Sequence, residues 1–215
     1  MIDGAINLLL SSKKIIFWDF DGVIKDSVEV KTNAFKELFS FCDEKTVCQI
    51  AEHHQANGGV SRYIKIPLYL ESAGLAVTKA NVELFCSQFS SLVLREVINS
   101  PWVPGVLGFL LKNYRTKSFF LVTATPQDEI DYILKKLEIN HFFKLVNGAP
   151  IKKEDAIARI IKMVKIDPKD ALMIGDSDSD YFAANANQIG FLLRRTLLNK
   201  SLQSRFVGPQ FESFT

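Results

Sequence analysis

The sequence predicts an α/β fold: a three-layer parallel sheet with helices on both faces and an α-helical domain inserted after the first strand. Three observations predict it. Short apolar runs recur along the chain without polar alternation, as strands covered on both faces require. Helical periodicities lie between these runs, which is the pattern of a doubly wound sheet. One long stretch, from Val28 to Ile98, carries helical patterns but no strong strand run.

The runs are Lys14 to Trp18 (KIIFW), Ser118 to Val122 (SFFLV), Phe142 to Val146 (FFKLV), Ala171 to Ile174 (ALMI) and Gly190 to Leu193 (GFLL). Ile130, Ile133, Leu134 and Leu137 keep helical spacing, and Ile157, Ile160, Ile161 and Val164 repeat it. Thr125-Pro126 reads as an N-cap and first-turn proline, with Asp128 and Glu129 near the positive helix end. Within the insertion the helices break near Asp43, Asn57-Gly58-Gly59 and Gly74. The predicted division is a core of residues 1–27 and 99–215 and a helical domain of residues 28–98. The connections fall near Lys25 to Ser27 and Asn99 to Gly105, where Pro101, Pro104 and Gly105 stiffen or bend the chain. Beyond Arg195, Phe206, Phe211 and Phe214 either dock on the core or fray.

At 215 residues, with 47% hydrophobic and 23% charged, the chain can bury a substantial core. A net charge of +2 supplies no general field for a polyanion, so nucleic acid is not expected as a partner. No run is long enough to span a bilayer, and no membrane association is expected. The N-terminal MIDGAINLLLSSKK lacks a positive start and a long apolar stretch, so no signal peptide is expected. Cys42, Cys48 and Cys86 form no Cys-x-x-Cys and no metal-ligand spacing. They read as small buried hydrophobes of a cytoplasmic protein. Monomer and homodimer remain equally open.

The chemistry gathers at strand ends. IFWDFDG places Asp19 and Asp21 after the first apolar run, and Gly22 lets the backbone turn sharply away. Residues two apart on a strand face the same way, so both carboxylates would lie side by side if the strand continued. Asp176, Asp178 and Asp180 follow the ALMI run. In open parallel sheets, ligands sit beyond the carboxyl ends of the strands. Two unit charges about 4 Å apart repel by about 4 kcal/mol at an effective dielectric of about 20. Such a cluster calls for a cation, and hard oxygen ligands point to Mg²⁺. Thr123, at the tip of LVTAT, and the free backbone N–H groups beside it suit a phosphate. Lys152 and Lys153 begin a helix, where a cation opposes the helix dipole and so suggests an anionic partner.

In this order, DFDGVIKDS, FFLVTATP, the Lys152-Lys153 pair and GDSDSD resemble the motifs of the haloacid dehalogenase-like hydrolase superfamily, with its Rossmann-like core. The resemblance implies roles. Asp19 would be the nucleophile that forms an aspartyl-phosphate. Asp21 would protonate the leaving oxygen and then deprotonate the attacking water, which requires its anionic neighbours or desolvation to raise its pKa. Thr123, with the backbone of Ala124, would bind the phosphoryl oxygens. Lys153, favoured over Lys152 by its spacing from Gly148-Ala149-Pro150, would neutralise nucleophile and phosphate. Mg²⁺ would bind the Asp19 carboxylate, the Asp21 backbone carbonyl and Asp176. Asp180 would support the metal or orient the lysine, and Asp178 would face solvent.

The inserted helices resemble the family's α-helical cap, which closes over the site and selects substrate. Arg62 is the leading cap contact, beside His54 and Lys65. Members that displace halide from carbon typically lack the second aspartate, so Asp21 favours phosphoryl chemistry. The expected function is a Mg²⁺-dependent phosphatase of a small phosphorylated metabolite, such as a sugar phosphate or a phosphoglycolate-like acid. The alternatives are a phosphomutase of the same scaffold and a non-catalytic, receiver-like phosphate-binding module.

Overall fold

In the computed structural model, which describes residues 4–215, six parallel strands form one sheet in the order β3-β2-β1-β4-β5-β6. The strands are β1 (Ile15–Trp18), β2 (Ser118–Pro126), β3 (Phe143–Ala149), β4 (Ala171–Gly175), β5 (Gly190–Arg194) and β6 (Gln210–Phe211). Each of the five expected apolar runs forms a strand. The first run takes the centre of the sheet, with β2 on one side and β4 on the other.

Alternation explains why IIFW can be apolar throughout. Ile16 and Trp18 face one layer with Phe119, Leu121 and Ile174. Ile15 and Phe17 face the other with Phe120, Val122 and Met173. Burying each such side chain stabilises the fold by about 1.5–3 kcal/mol. The first layer is covered by α1 (Gly4–Ser12), α6 (Val106–Asn113) and α7 (Gln127–Lys136). The second is covered by α8 (Lys153–Val164), α9 (Asp178–Ala186) and α10 (Lys200–Arg205). In α7 the periodic Ile130, Ile133 and Leu134 are the buried stripe, and in α8 Ile157 and Ile160 are.

Between β1 and β2 lie α2 (Val28–Leu38), α3 (Glu44–Ala56), α4 (Arg62–Ser72) and α5 (Lys79–Asn99). The breaks between them fall at the three expected places. Asp43 caps α3 by accepting from the Thr46 N–H at 2.8 Å. Phe35, Tyr69 and Phe89 pack where these helices meet, with Phe35 and Phe89 rings 4.1 Å apart. The two chain segments that join the helices to the sheet run beside each other. Asp26 N–H donates to the Pro101 carbonyl at 2.8 Å and Val103 N–H to the Ile24 carbonyl at 3.0 Å.

Two readings need correction, and one open alternative is resolved. Helix α7 begins at Gln127, because β2 runs on to Pro126; Thr125 is therefore strand, not an N-cap, and its hydroxyl is used elsewhere. Of the cysteines only Cys86 is buried; Cys42 is half-buried and Cys48 exposed. The tail docks rather than frays. Phe211 enters β6, Phe214 stacks near Trp18 and Phe109, and Phe206 packs on Tyr181 and Phe191.

Candidate active site

Strand β1 ends at Trp18, and Asp19 follows with its N–H on the Ile174 carbonyl at 3.0 Å. Its carboxylate is buried. One oxygen accepts from the Phe20 N–H at 2.7 Å, and the other lies 2.8 Å from Lys153 Nζ. Lys153 opens α8 and is itself buried; it also donates to Asp180 at 2.6 Å. Lys152 is exposed and, among the described residues, its one ion-pair partner is Glu154, at 3.9 Å. Lys153 is thus the lysine that reaches the cluster.

Asp19, Asp176 and Asp180 each offer a carboxylate oxygen, and these atoms lie within 4.8 Å of one another. Two glycines make the crowding possible. Gly175 lets Asp180 fold back over the end of β4, since a Cβ there would lie 2.2 Å from the Asp180 Cβ. Gly22, at φ +74°, lets the turn after Asp21 press on Asp176, whose Oδ2 would lie 2.1 Å from an added Cβ. Asp180 is fully committed: its second oxygen accepts from the Ser177 hydroxyl at 2.6 Å and the Ser177 N–H at 3.1 Å. Asn199 holds the Asp176 carbonyl at 2.7 Å, and Arg194 holds the Gly22 carbonyl at 2.9 Å.

The electrostatics follow from this packing. Burial, then the Asp180 charge, pushes the Asp19 carboxyl up to about 7, against the pull of Lys153. Asp176 is raised well above the usual carboxylate range by burial and by Asp19 and Asp180. Burial would lower Lys153, but Asp180 and Asp19 outweigh it and hold the ammonium protonated. An all-carboxylate donor set that raises its own proton affinities suits a hard divalent ion such as Mg²⁺, with Asp19 and Asp176 as the available ligands.

Asp21 stands apart from that cluster. Its carboxylate accepts from the Ser27 hydroxyl at 2.6 Å, from the Thr125 hydroxyl at 3.1 Å, and from Lys31. Its side chain is therefore not among the clustered carboxylate oxygens of Asp19, Asp176 and Asp180. Burial favours the neutral acid, but the Lys31 charge and these hydrogen bonds win and hold Asp21 below its ordinary pKa. The sequence reading expected a raised value; Lys31, from α2, is the physical reason for the reverse.

Asp19, Asp21, Thr123, Ala124 and Asp176 line one wall of a narrow cavity of about 40 Å³. The buried Thr123 hydroxyl accepts from the Thr125 N–H at 3.2 Å, which leaves its own hydrogen to donate. The opposite wall comes from the inserted helices and includes Lys31, Phe35, His54, Arg62 and Lys65. Arg62 faces the cavity as expected, but its guanidinium forks onto Glu129 of α7 at 2.8 and 2.7 Å and donates to Ser90 at 2.7 Å. Asp178 lies outside the cavity lining and binds Arg205 at 2.6 Å.

Sequence reasoning missed Lys31 and Glu129. Lys31 shares a helical stripe with the buried Phe35 and Leu38, and a lysine on an apolar stripe is a signal that finds it. Glu129 reads from sequence only as a first-turn acid; its partner lies 67 residues away.

The comparisons agree with this geometry. The family model described as haloacid dehalogenase-like hydrolase matches residues 13–187. Phosphoglycolate phosphatase 1 of Pseudomonas aeruginosa is 28% identical over 183 residues, covering 80% of this chain and 66% of that protein. The phosphoglycolate phosphatase of Colwellia psychrerythraea is 25% identical over 222 residues and covers 95% of both chains. Among solved structures, a CbbY variant from Rhodobacter sphaeroides in complex with xylulose-1,5-bisphosphate superposes with a TM-score of 0.75 at 13% identity, over 94% of this chain and 95% of that one. With the family model spanning β1 to β4, the inserted helices, and Asp19, Asp21, Thr123, Lys153, Asp176 and Asp180, the chain belongs to the haloacid dehalogenase-like hydrolase family.

Proposed function

We propose that the protein is a Mg²⁺-dependent phosphatase of a small phosphorylated metabolite, acting through an aspartyl-phosphate on Asp19. The observation that carries it is the division of labour between two aspartates two residues apart. Asp19 is turned inward onto Lys153 beside Asp176, while Asp21 is turned outward onto Lys31, Ser27 and Thr125.

In this reading Asp21, ionised in the free protein, takes up a proton as the phosphate dianion binds beside it; Asp19 attacks phosphorus, and that proton passes to the leaving oxygen. Water then cleaves the Asp19 acyl phosphate, and Asp21 receives its proton. Lys31 favours the ionised carboxylate, the form that the second step needs. Thr123 and the Ala124 backbone orient the phosphoryl oxygens, and Lys153 keeps Asp19 in place. Mg²⁺, held by Asp19, Asp176 and the Asp21 carbonyl, would offset the negative charge gathered there. Residues 28–98 would serve as the cap over a core of residues 1–27 and 99–215, excluding water from the intermediate. The names of the relatives support a phosphoglycolate-like substrate.

The test is phosphate release from p-nitrophenyl phosphate and a metabolite panel, with Mg²⁺ and after EDTA. Turnover that EDTA abolishes and Mg²⁺ restores is expected. A folded protein that releases no phosphate from any compound under either condition is not this enzyme.

A further inference from the structure

Three cations of the inserted helices line the cavity, and two of them are spoken for. Lys31 is paired with Asp21, and Arg62 with Glu129. Lys65 is different. Its side chain is fully buried, yet among the described residues no carboxylate lies within ion-pair distance of it. Its ammonium meets only Nδ1 of His54, at 2.9 Å. An ammonium without a counter-charge is costly to bury.

His54 is equally incomplete. It is buried, it lines the same cavity, and its Nε2 has no hydrogen-bond partner among the described residues. Burial and the neighbouring lysine charges push its pKa down to about 2, so the ring is neutral. Against a protonated Lys65, Nδ1 must accept, and the ring hydrogen then sits on Nε2. With Lys65 protonated, the state an arriving anion favours, the pair presents only donors: the remaining N–H groups of Lys65 and the Nε2–H of His54. Phe35 supports both, its ring 4.8 Å from the His54 ring and 6.0 Å from the Lys65 ammonium. Donors with no acceptor, on the wall facing Asp19 and Thr123, define a receptor for a second anionic group.

We propose that Lys65 and His54 form the specificity site of this protein, binding a carboxylate carried by the phosphate ester that Asp19 attacks. The proposal rests on the phosphatase reading and narrows it to small phosphorylated acids. It also assigns the second-anion role to Lys65 and His54 rather than to Arg62, whose fork is already filled by Glu129. A neutral sugar phosphate brings no charge to Lys65 and leaves that ammonium without a partner. A carboxylate satisfies it and accepts from His54 as well. The small cavity, walled by Phe35 and Phe89, favours a short chain between the two anions.

Two measurements test it. In the first, kcat/KM is compared for 2-phosphoglycolate and ethyl phosphate, which share the phosphate ester and two-carbon chain but not the carboxylate. The wild type should prefer the acid, and Lys65→Met should erase at least about tenfold of that preference, chiefly through KM. His54→Phe should move the ratio in the same direction. An equal loss on both substrates, or none, overturns the proposal while leaving the phosphatase reading intact. The second measurement needs no turnover: calorimetric binding of phosphonoacetate and of methylphosphonate, with Mg²⁺ present. Phosphonoacetate should bind the wild type at least about tenfold more tightly than methylphosphonate, a gap that Lys65→Met closes. If that gap appears in a protein that hydrolyses nothing, the anion site stands and the phosphatase reading falls. If wild-type protein binds the two equally, the anion site falls.

Discussion

Arg62 grips both carboxylate oxygens of Glu129, joining α4 of the inserted helices to the first turn of α7 in the sheet domain. Both side chains are almost wholly buried, at 4% and 10% exposure, and the guanidinium also lies over the Phe89 ring. Glu129→Gln leaves the arginine charge buried without its partner. A loss of about 3 kcal/mol of stability is expected. Urea unfolding measures it, and an unchanged midpoint with an unchanged slope contradicts it.

Asp19→Asn removes the proposed nucleophile but keeps its shape. Turnover should fall to background. Stability should not drop, because one charge leaves a crowded carboxylate cluster. Near-normal phosphate release by this variant means that water, not the side chain, is the attacker.

Lys31 should matter through Asp21. Asp21→Asn is expected to lower kcat by about 10²-fold or more. Lys31→Met should lower kcat less, with little change in KM. The double variant should be no slower than Asp21→Asn alone, since the two residues form one unit. Additive losses would place Lys31 on the substrate instead.

Lys65 carries a stability cost with a defined pH dependence. Burial first, then the Lys31 charge, lowers its pKa from 10.5 to about 7, with Asp21 opposing and Arg62 and Lys153 adding to the effect. Between those two values the unfolded chain binds the proton and the folded chain does not, so this residue's contribution to stability rises with pH. Below about 7 the cost is full. Lys65→Met has no proton to bind and escapes it. Its unfolding midpoint should exceed that of the wild type by more at about pH 6 than at about pH 9. A gap that is constant across that range removes the argument for a buried, uncompensated ammonium. A stabilising change at a binding residue is the usual sign of strain kept for function.

The core was legible because its signals are local. IIFW, SFFLV and ALMI are apolar on both faces, and a strand between two helical layers demands that. Asp19, Thr123 and Asp176 were legible for the same reason: each lies within two residues of the end of such a run. Spacing favoured Lys153 over Lys152 without deciding between them; burial and the contact with Asp19 decide. What stayed hidden depends on contacts between distant segments. Lys31 looks like one polar position of an ordinary amphipathic helix until α2 is laid over Asp21. Glu129 looks like a helix-dipole acid until Arg62 arrives. Strand β6 has only two residues, Gln210 and Phe211, too few for any periodicity to register. Thr125 misled because Thr-Pro is a helix-start signal locally, while pairing of Pro126 with Ala149 extends the strand through it.

The paired segments joining the inserted helices to the sheet have an optical consequence. Lys25, buried there, donates to the Ile98 carbonyl at 3.0 Å and holds its ammonium 4.4 Å from the centre of the Trp102 indole. The chain's other tryptophan, Trp18, is enclosed by Phe109, Phe119 and Phe214 directly before Asp19. The two chromophores therefore report separately. Fluorescence from Trp18 should follow the integrity of the interior, whereas that from Trp102 should respond to any change in its distance from the Lys25 ammonium.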